Sequence, residues 1–285
     1  MNKNTHFGEY MTVENPLRNY FRRPALHLKL PSKGNGYTDD VIEFPENGEI
    51  PIYPMTAIDE ITTRTPDALF NGSAVVEIIK SCAPNIKNPW KLQQIDLDPL
   101  LLAIKIATHG STTEVDTTCP SCSEEAKYDI NLTAMLNEFK PGDYSKPYAI
   151  DNVQIKFKSL AYNRVNDVNQ KQFDVQRAMQ IISKIEDDKQ REHNTSELIK
   201  EMNEMAMDIV LDTIEYIRTP TDTVIDKNFI REYLLNIPNT EYEKIRDHTI
   251  ELKKSTEAKP LHFQCQHCKH EYDQPFNLNV TDFFD

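Results

Sequence analysis

Two short stretches, Thr118-Cys119-Pro120-Ser121-Cys122 and Gln264-Cys265-Gln266-His267-Cys268, constrain the fold of this chain more than any others. Each is a Cys-x-x-Cys turn, whose two intervening residues let one tight bend aim both sulfurs at one point. Two such turns supply four thiolates, the donor set of a closed tetrahedral zinc site. The candidate metal ligands are therefore Cys119, Cys122, Cys265 and Cys268, with a structural Zn2+ as cofactor.

The flanks of the two turns correspond. Cys122 is followed by Glu125, Tyr128-Asp129 and Asn131-Leu132, and Cys268 by Glu271-Tyr272-Asp273 and Asn277-Leu278. Both turns lead into a short extended segment, the pattern of a zinc ribbon cut into two halves. The halves stand 142 residues apart. Closing a loop of that length costs about 4 kcal/mol plus a constant, against about 10–16 kcal/mol for a structural zinc site. Metal binding outweighs the loop, and the insert must start and finish at one place.

Other chemistries use the same motif. A Cys-x-x-Cys can be a redox dithiol, and cysteines can pair as disulfides. His262, His267 and His270 crowd the second turn, so two separate sites completed by histidine, or one histidine in place of a cysteine, are further alternatives. The fifth cysteine, Cys82, ends an apolar helical stretch and reads as a small core residue.

Composition narrows the function classes. The chain has 285 residues and a formal charge of −13, which opposes nucleic-acid binding. Only Arg18, Arg22, Arg23 and Lys29 form a basic cluster, readable as a solvated face or as an arm for an acidic partner. Glycine is scarce, with 7 residues, and neither G-x-x-x-x-G-K-[ST] nor G-x-G-x-x-G occurs. The apolar run Leu100 to Ile104 is too short to cross a membrane, and residues 1–5 carry no apolar segment behind them, so an intracellular protein is expected. No catalytic set stands out. His109 follows an apolar helix, with Asp96 and Asp98 before it, and it reads as a helix-end residue. No enzyme activity is expected.

Local patterns predict the elements. His27–Leu30 alternates as a strand. Residues 41–44 and 49–53 flank an Asn-Gly turn and suggest a hairpin. Thr56 caps a helix with Asp59 and Glu60 in its first turn, Pro66 interrupts it, and a short helical turn runs to Phe70. A helix starts near Ser73 and ends by Pro84. Asp98-Pro99 reads as the start of a buried helix closed by Gly110. Val153, Ile155 and Phe157 alternate as a half-buried strand. Two antiparallel helices follow, one from about Val165 to Ile185. The second is capped by Asn194 and runs through Tyr216 and Ile217 to a stop at Pro220. Asp226 caps a helix ending at Pro238, another spans Tyr242 to Leu252, and residues 253–259 link to the second turn.

An ordered set of segments resembles the T4-type bacteriophage baseplate hub and hub-assembly proteins of contractile tails. The set is Leu30-Pro31-Ser32-Lys33-Gly34, Pro54-Met55-Thr56-Ala57 with Asp59-Glu60, Gly72-Ser73-Ala74, Ile79-Lys80-Ser81-Cys82, Asp96 to Leu102 and Ala107-Thr108-His109-Gly110. The two cysteine turns and Phe283-Phe284 complete it. The resemblance implies a role in virion morphogenesis, in the tail baseplate or in the host cytoplasm during assembly. Its implied partners are other baseplate hub, tail tube or tape-measure proteins. A zinc-ribbon nucleic-acid-binding or transcription accessory protein is the alternative.

The fold class expected is α+β, mostly helical, with a small N-terminal β segment and a split four-cysteine zinc ribbon. The division expected is an N-terminal arm (1–27), a β segment and helical core (28–118), and a first ribbon half with a strand (119–160). An inserted helical region (161–259) and a second ribbon half with an aromatic tail (260–285) complete it.

Overall fold

The computed structural model describes residues 15–63 and 71–275. The arm before Asn15, the helical turn expected between Pro66 and Phe70, and the aromatic tail from Phe276 lie outside the described residues. The fold is α+β, built around two cores and a small third cluster that joins chain segments far apart in sequence.

The first core starts with β1 (Leu26–Leu28) and β2 (Ile50–Ile52), paired antiparallel with Leu26 opposite Ile52. The hairpin expected between residues 41–44 and 49–53 does not form. The Asn-Gly bend closes, with the Gly48 N–H donating to Pro45 O at 2.8 Å, but residues 41–43 pair elsewhere. Glu43 N–H donates to Asn85 O, and Lys87 N–H donates to Val41 O, both at 2.8 Å. A remote loop thus takes the hydrogen bonds that a local hairpin would have used.

Helix α1 (Ala57–Thr63) opens as expected: the Thr56 N–H donates to Asp59 Oδ2 at 2.7 Å, a capping-box contact. Helix α2 (Ser73–Cys82) buries Val75, Val76, Ile78, Ile79 and Cys82. Gly72 precedes it at φ +77°, where a Cβ would stand 2.7 Å from the Tyr162 hydroxyl and 2.6 Å from Asn166 Oδ1. That conformation and that proximity both require glycine.

Helix α3 (Gln94–His109) is the central element, fully buried at Leu100, Leu102, Ala103 and Ile104. It begins four residues before the predicted cap at Asp98, so Pro99 lies inside it. The early start has a tertiary cause. Gln94 N–H donates to Leu160 O at 2.8 Å and Ile95 N–H to Ser159 Oγ at 3.3 Å, which satisfies first-turn donors from another part of the chain. Asp96, fully buried, accepts from Ser32 N–H at 2.8 Å and from the Tyr37 hydroxyl at 2.7 Å. Tyr37 Oη in turn accepts from Gln93 N–H at 2.8 Å. The Leu30–Gly34 bend is thereby pinned to the first turn of α3.

Arg22 anchors the N-terminal segment. Its guanidinium donates to Pro54 O at 2.5 Å and to both the carbonyl and the hydroxyl of Ser81 at 2.8 Å, and it pairs with Asp59 at 3.4 Å. The basic cluster read from the sequence is therefore divided: Arg22 serves the fold, and Lys29 pairs with Glu49 at 3.3 Å.

The second core is a four-stranded antiparallel sheet in the order β5 (Tyr148–Ile150), β6 (Val153–Phe157), β7 (Ile214–Arg218), β8 (Thr223–Val224). Between β6 and β7 the chain runs out and back along α5 (Tyr162–Ile182) and α6 (Asp188–Thr213). Helices α7 (Lys227–Asn236) and α8 (Asn239–Thr256) contribute Ile230, Leu234, Ile245 and Leu252 to the same core. Two expectations are corrected. Helix α6 starts at Asp188, because Asp187 Oδ1 accepts from Lys189 N–H at 2.9 Å and caps it seven residues before Asn194. Tyr216 and Ile217 belong to β7 rather than to a helix. Ile214 and Ile217 are buried, and β6 offers β7 an open edge. β-Branched and aromatic residues fit that half-buried strand.

Candidate metal centre

The first Cys-x-x-Cys closes a hairpin of β3 (Thr112–Thr118) and β4 (Glu125–Asn131), and the second closes β9 (Leu261–Gln264) and β10 (Glu271–Gln274). The two turns share one backbone design. Cys119 N–H donates to Glu124 O at 2.9 Å, and Cys265 N–H donates to His270 O at 2.8 Å. Ser123 N–H returns to Cys119 O at 2.9 Å, and Lys269 N–H returns to Cys265 O at 3.0 Å. Ser123 and Lys269, each four residues after the first cysteine, turn the chain at φ +59° and +61°. This left-handed residue costs some backbone strain and lets the second cysteine of each pair face back over the first.

Side chains then press the hairpins together. The Tyr128 ring lies 4.8 Å from that of Phe263, centre to centre, and its hydroxyl donates to Gln264 O at 2.9 Å. Thr117 Oγ1 and the Tyr272 hydroxyl form a long hydrogen bond of 3.4 Å, in which either can donate. Phe263 is buried between Tyr128 and Tyr272. Below the hairpins, Leu102 of α3 packs with Leu132 and Met135 of α4 (Leu132–Leu136), with Ile130, Ala258 and Leu261 against them. The middle and the end of the chain therefore meet in an apolar cluster at the ends of the hairpins away from the cysteine turns.

The four sulfurs all lie within 4.8 Å of one another. Cys119 Sγ is 3.7 Å from Cys268 Sγ, and Cys122 Sγ is 3.7 Å from Cys265 Sγ. A tetrahedron of thiolates about 2.3 Å from a zinc ion has edges of about 3.8 Å, so the donor set fits that ion in kind and in spacing. All four are free cysteines, Cys119 and Cys265 buried and Cys268 exposed. Each close pair joins one cysteine from each turn, so a single centre would tie the hairpins together.

Electrostatics favour a cation here. The N–H of Cys268, and then that of His267, point at Cys265 Sγ and bring its thiol down to about 6. Cys122 is pulled down by the N–H of Glu124, yet burial and the three neighbouring thiols push it up to about 12. Four sulfurs this close do not all ionise without a positive charge among them, and a divalent ion supplies it.

The other candidates fall elsewhere. His262 Nδ1 lies 2.8 Å from Asp273 Oδ1, and His270 lies along the Tyr272 ring. Neither is grouped with the sulfurs. Cys82 is buried in the first core, 3.9 Å from Arg22 Nη1, with its thiol pushed up to about 11 by burial and then by Asp59. His109 is exposed at the end of α3, and Asp96 is committed to Ser32 and Tyr37. Sequence reasoning did not single out Thr117, Tyr128, Phe263 and Tyr272 as the hairpin interface. The one available signal was the matched Tyr128-Asp129 and Tyr272-Asp273 behind the turns.

Among the described residues, no helix is long and apolar enough to cross a membrane. The family model described as T4 bacteriophage base plate protein matches residues 26–285. No curated protein and no solved structure matches the chain.

Proposed function

The chain belongs to the T4 bacteriophage base plate protein family, and from that premise we propose that it is a structural or assembly subunit of the baseplate hub. It acts through protein contacts around a structural zinc ion. The family match, which runs from residue 26 to the end of the chain, carries the reading. The four-sulfur cluster supports its metal-organised part.

In this reading Cys119, Cys122, Cys265 and Cys268 hold Zn2+ and fill its four positions. The ion neutralises the thiolates and clasps two hairpins into a split ribbon. The five-part division of the chain follows: an arm (1–27), a β and helical core (28–118), a first half-ribbon (119–160), an insert (161–259) and a second half-ribbon with a tail (260–285). The insert carries the α5–α6 pair, whose longer helix has 26 residues and reaches about 39 Å. Met179 and Ile181 of α5 and Ile199 of α6 are exposed on the pair, which suits a part that touches neighbouring subunits. Partners are other hub, tail tube or tape-measure proteins. The formal charge of −13 opposes the nucleic-acid alternative.

The test is reconstitution. The zinc-retaining protein, mixed with hub, tube and tape-measure proteins of the same phage, is expected to co-sediment with at least one of them. Particles assembled without it are expected to lack complete baseplates. Normal baseplates in its absence, together with no co-sedimentation, would remove the proposal.

A further inference from the structure

The outer part of the α5–α6 pair buries little. Between residues 169 and 205 only Val175 and Leu198 are buried. Helices in proteins draw most of their stability from an apolar face packed against another element. Two helices joined end to end bury one seam, where a four-helix bundle buries a core. Beside that seam the pair leaves a groove of about 410 Å³. Ile182 and Leu198 supply its apolar lining, and Glu197, Glu201 and Glu204 stand along it with Lys200 among them.

The three glutamates begin a longer row. Residues 197, 201, 204, 208 and 212 recur every three or four positions and so share one face of α6. The inner two carboxylates are paired within the chain, Asp208 with Arg231 and Asp212 with Arg164. Glu197, Glu201 and Glu204 have no ion-pair partner among the described residues. The opposite charge stands on α5. Over residues 169–184 the cations Lys171, Arg177 and Lys184 meet one anion, Asp174, whereas over 194–205 the three glutamates meet one cation, Lys200. Arg177, Ile181 and Lys184 follow at four and three positions and share a face. All three are exposed, Ile181 at 59 %. Ile181 precedes Ile182, and one residue turns a helix by about 100°, so Ile181 points away from the groove of its own chain.

We propose that a second copy of this chain packs its α5–α6 pair against this one, forming a four-helix bundle. Ile181 of each copy enters the groove of the other, and Arg177 and Lys184 come to face the glutamates. A two-fold axis makes the contact twice, with α5 of each copy over α6 of the other. The choice of a second copy rests on charge: one hairpin carries both an apolar side chain between cations and an apolar groove edged by carboxylates. Two helices side by side offer a face about 30 Å long and about 20 Å wide. Two such faces bury on the order of 1,200 Å², the lower end of specific interfaces. The inference deepens the assembly role, and it rests on that role for the setting in which copies meet but not for the contact itself.

The experiment is sedimentation of the full, zinc-loaded chain between about 1 and 100 µM. Its mass is expected to rise with concentration from 33.0 kDa toward twice that value, and to fall back in high salt, which screens exposed charges. The variants Arg177→Glu/Lys184→Glu and Glu197→Lys/Glu201→Lys are each expected to self-associate at least about tenfold more weakly, with metal and helix content unchanged. Mixed in equal amounts the two variants are expected to pair, because every α5–α6 contact between them again joins opposite charges. That recovery separates a broken interface from a broken fold. A single-copy mass across the whole range would overturn the proposal, whatever other protein the hairpin binds. So would a dimer that both double variants leave intact, or variants that stay apart when mixed. A single-copy chain that still completes baseplates defeats this inference alone. A dimer that forms as described but joins no baseplate defeats the hub reading instead.

Discussion

Cys119 and Cys268 hold their sulfurs 3.7 Å apart across 149 positions of sequence. No local turn brings them together; the two hairpins and the Leu102–Leu132–Met135 cluster do.

If a zinc ion joins them, removing one ligand leaves the others without a shared counter-charge. Cys119→Ser and Cys268→Ser are each expected to lower metal content from about one ion per chain to near zero. Cys82→Ala, in the first core, is expected to leave it unchanged. Atomic absorption on the purified variants decides between these outcomes.

Thiol reactivity separates the same groups. Before chelation, no thiol of the native protein is expected to react quickly. After chelation the four clustered cysteines should react, with Cys265 first because its thiol sits at about 6. Cys82, held at about 11 and buried, should react only on unfolding. Timed alkylation with peptide mapping gives the order.

Asp96 carries a stability prediction. Asp96→Ala would leave the Ser32 N–H and the Tyr37 hydroxyl without their acceptor in the first core. At about 1–3 kcal/mol for each orphaned donor, a loss of about 2–6 kcal/mol is expected. Urea unfolding measures it, and metal content should not change.

Asp98 gives a pH dependence. Burial, and then the negative charge of Glu257, raise its carboxyl to about 6, opposed by Lys253. The folded chain thus binds that proton more tightly than the unfolded chain, where the value is about 3.9. The protonated group favours the fold below about pH 4, and this advantage is lost as pH rises to about 6. Asp98→Asn should therefore stabilise the protein at pH 7, by about 1–2 kcal/mol given the partial exposure of the side chain, with the gain vanishing near pH 4. Thermal unfolding across that range tests it.

What the sequence determined by itself is what short-range physics controls. A two-residue gap aims two sulfurs from one bend, and Thr56 Oγ1 and Asp226 Oδ1 cap helices by accepting from the N–H groups of Asp59 and Asn228. The apolar run Leu100 to Ile104 marks a buried helix wherever it packs. The tertiary structure decided everything that depends on a distant hydrogen-bond partner. Leu160 and Ser159 move the start of α3 ahead of Asp98-Pro99. β1 takes β2 away from its expected neighbour, and β6 turns Tyr216-Ile217 from helix into strand. A backbone N–H donates to whichever oxygen the finished fold brings to it, and sequence spacing carries no record of that oxygen.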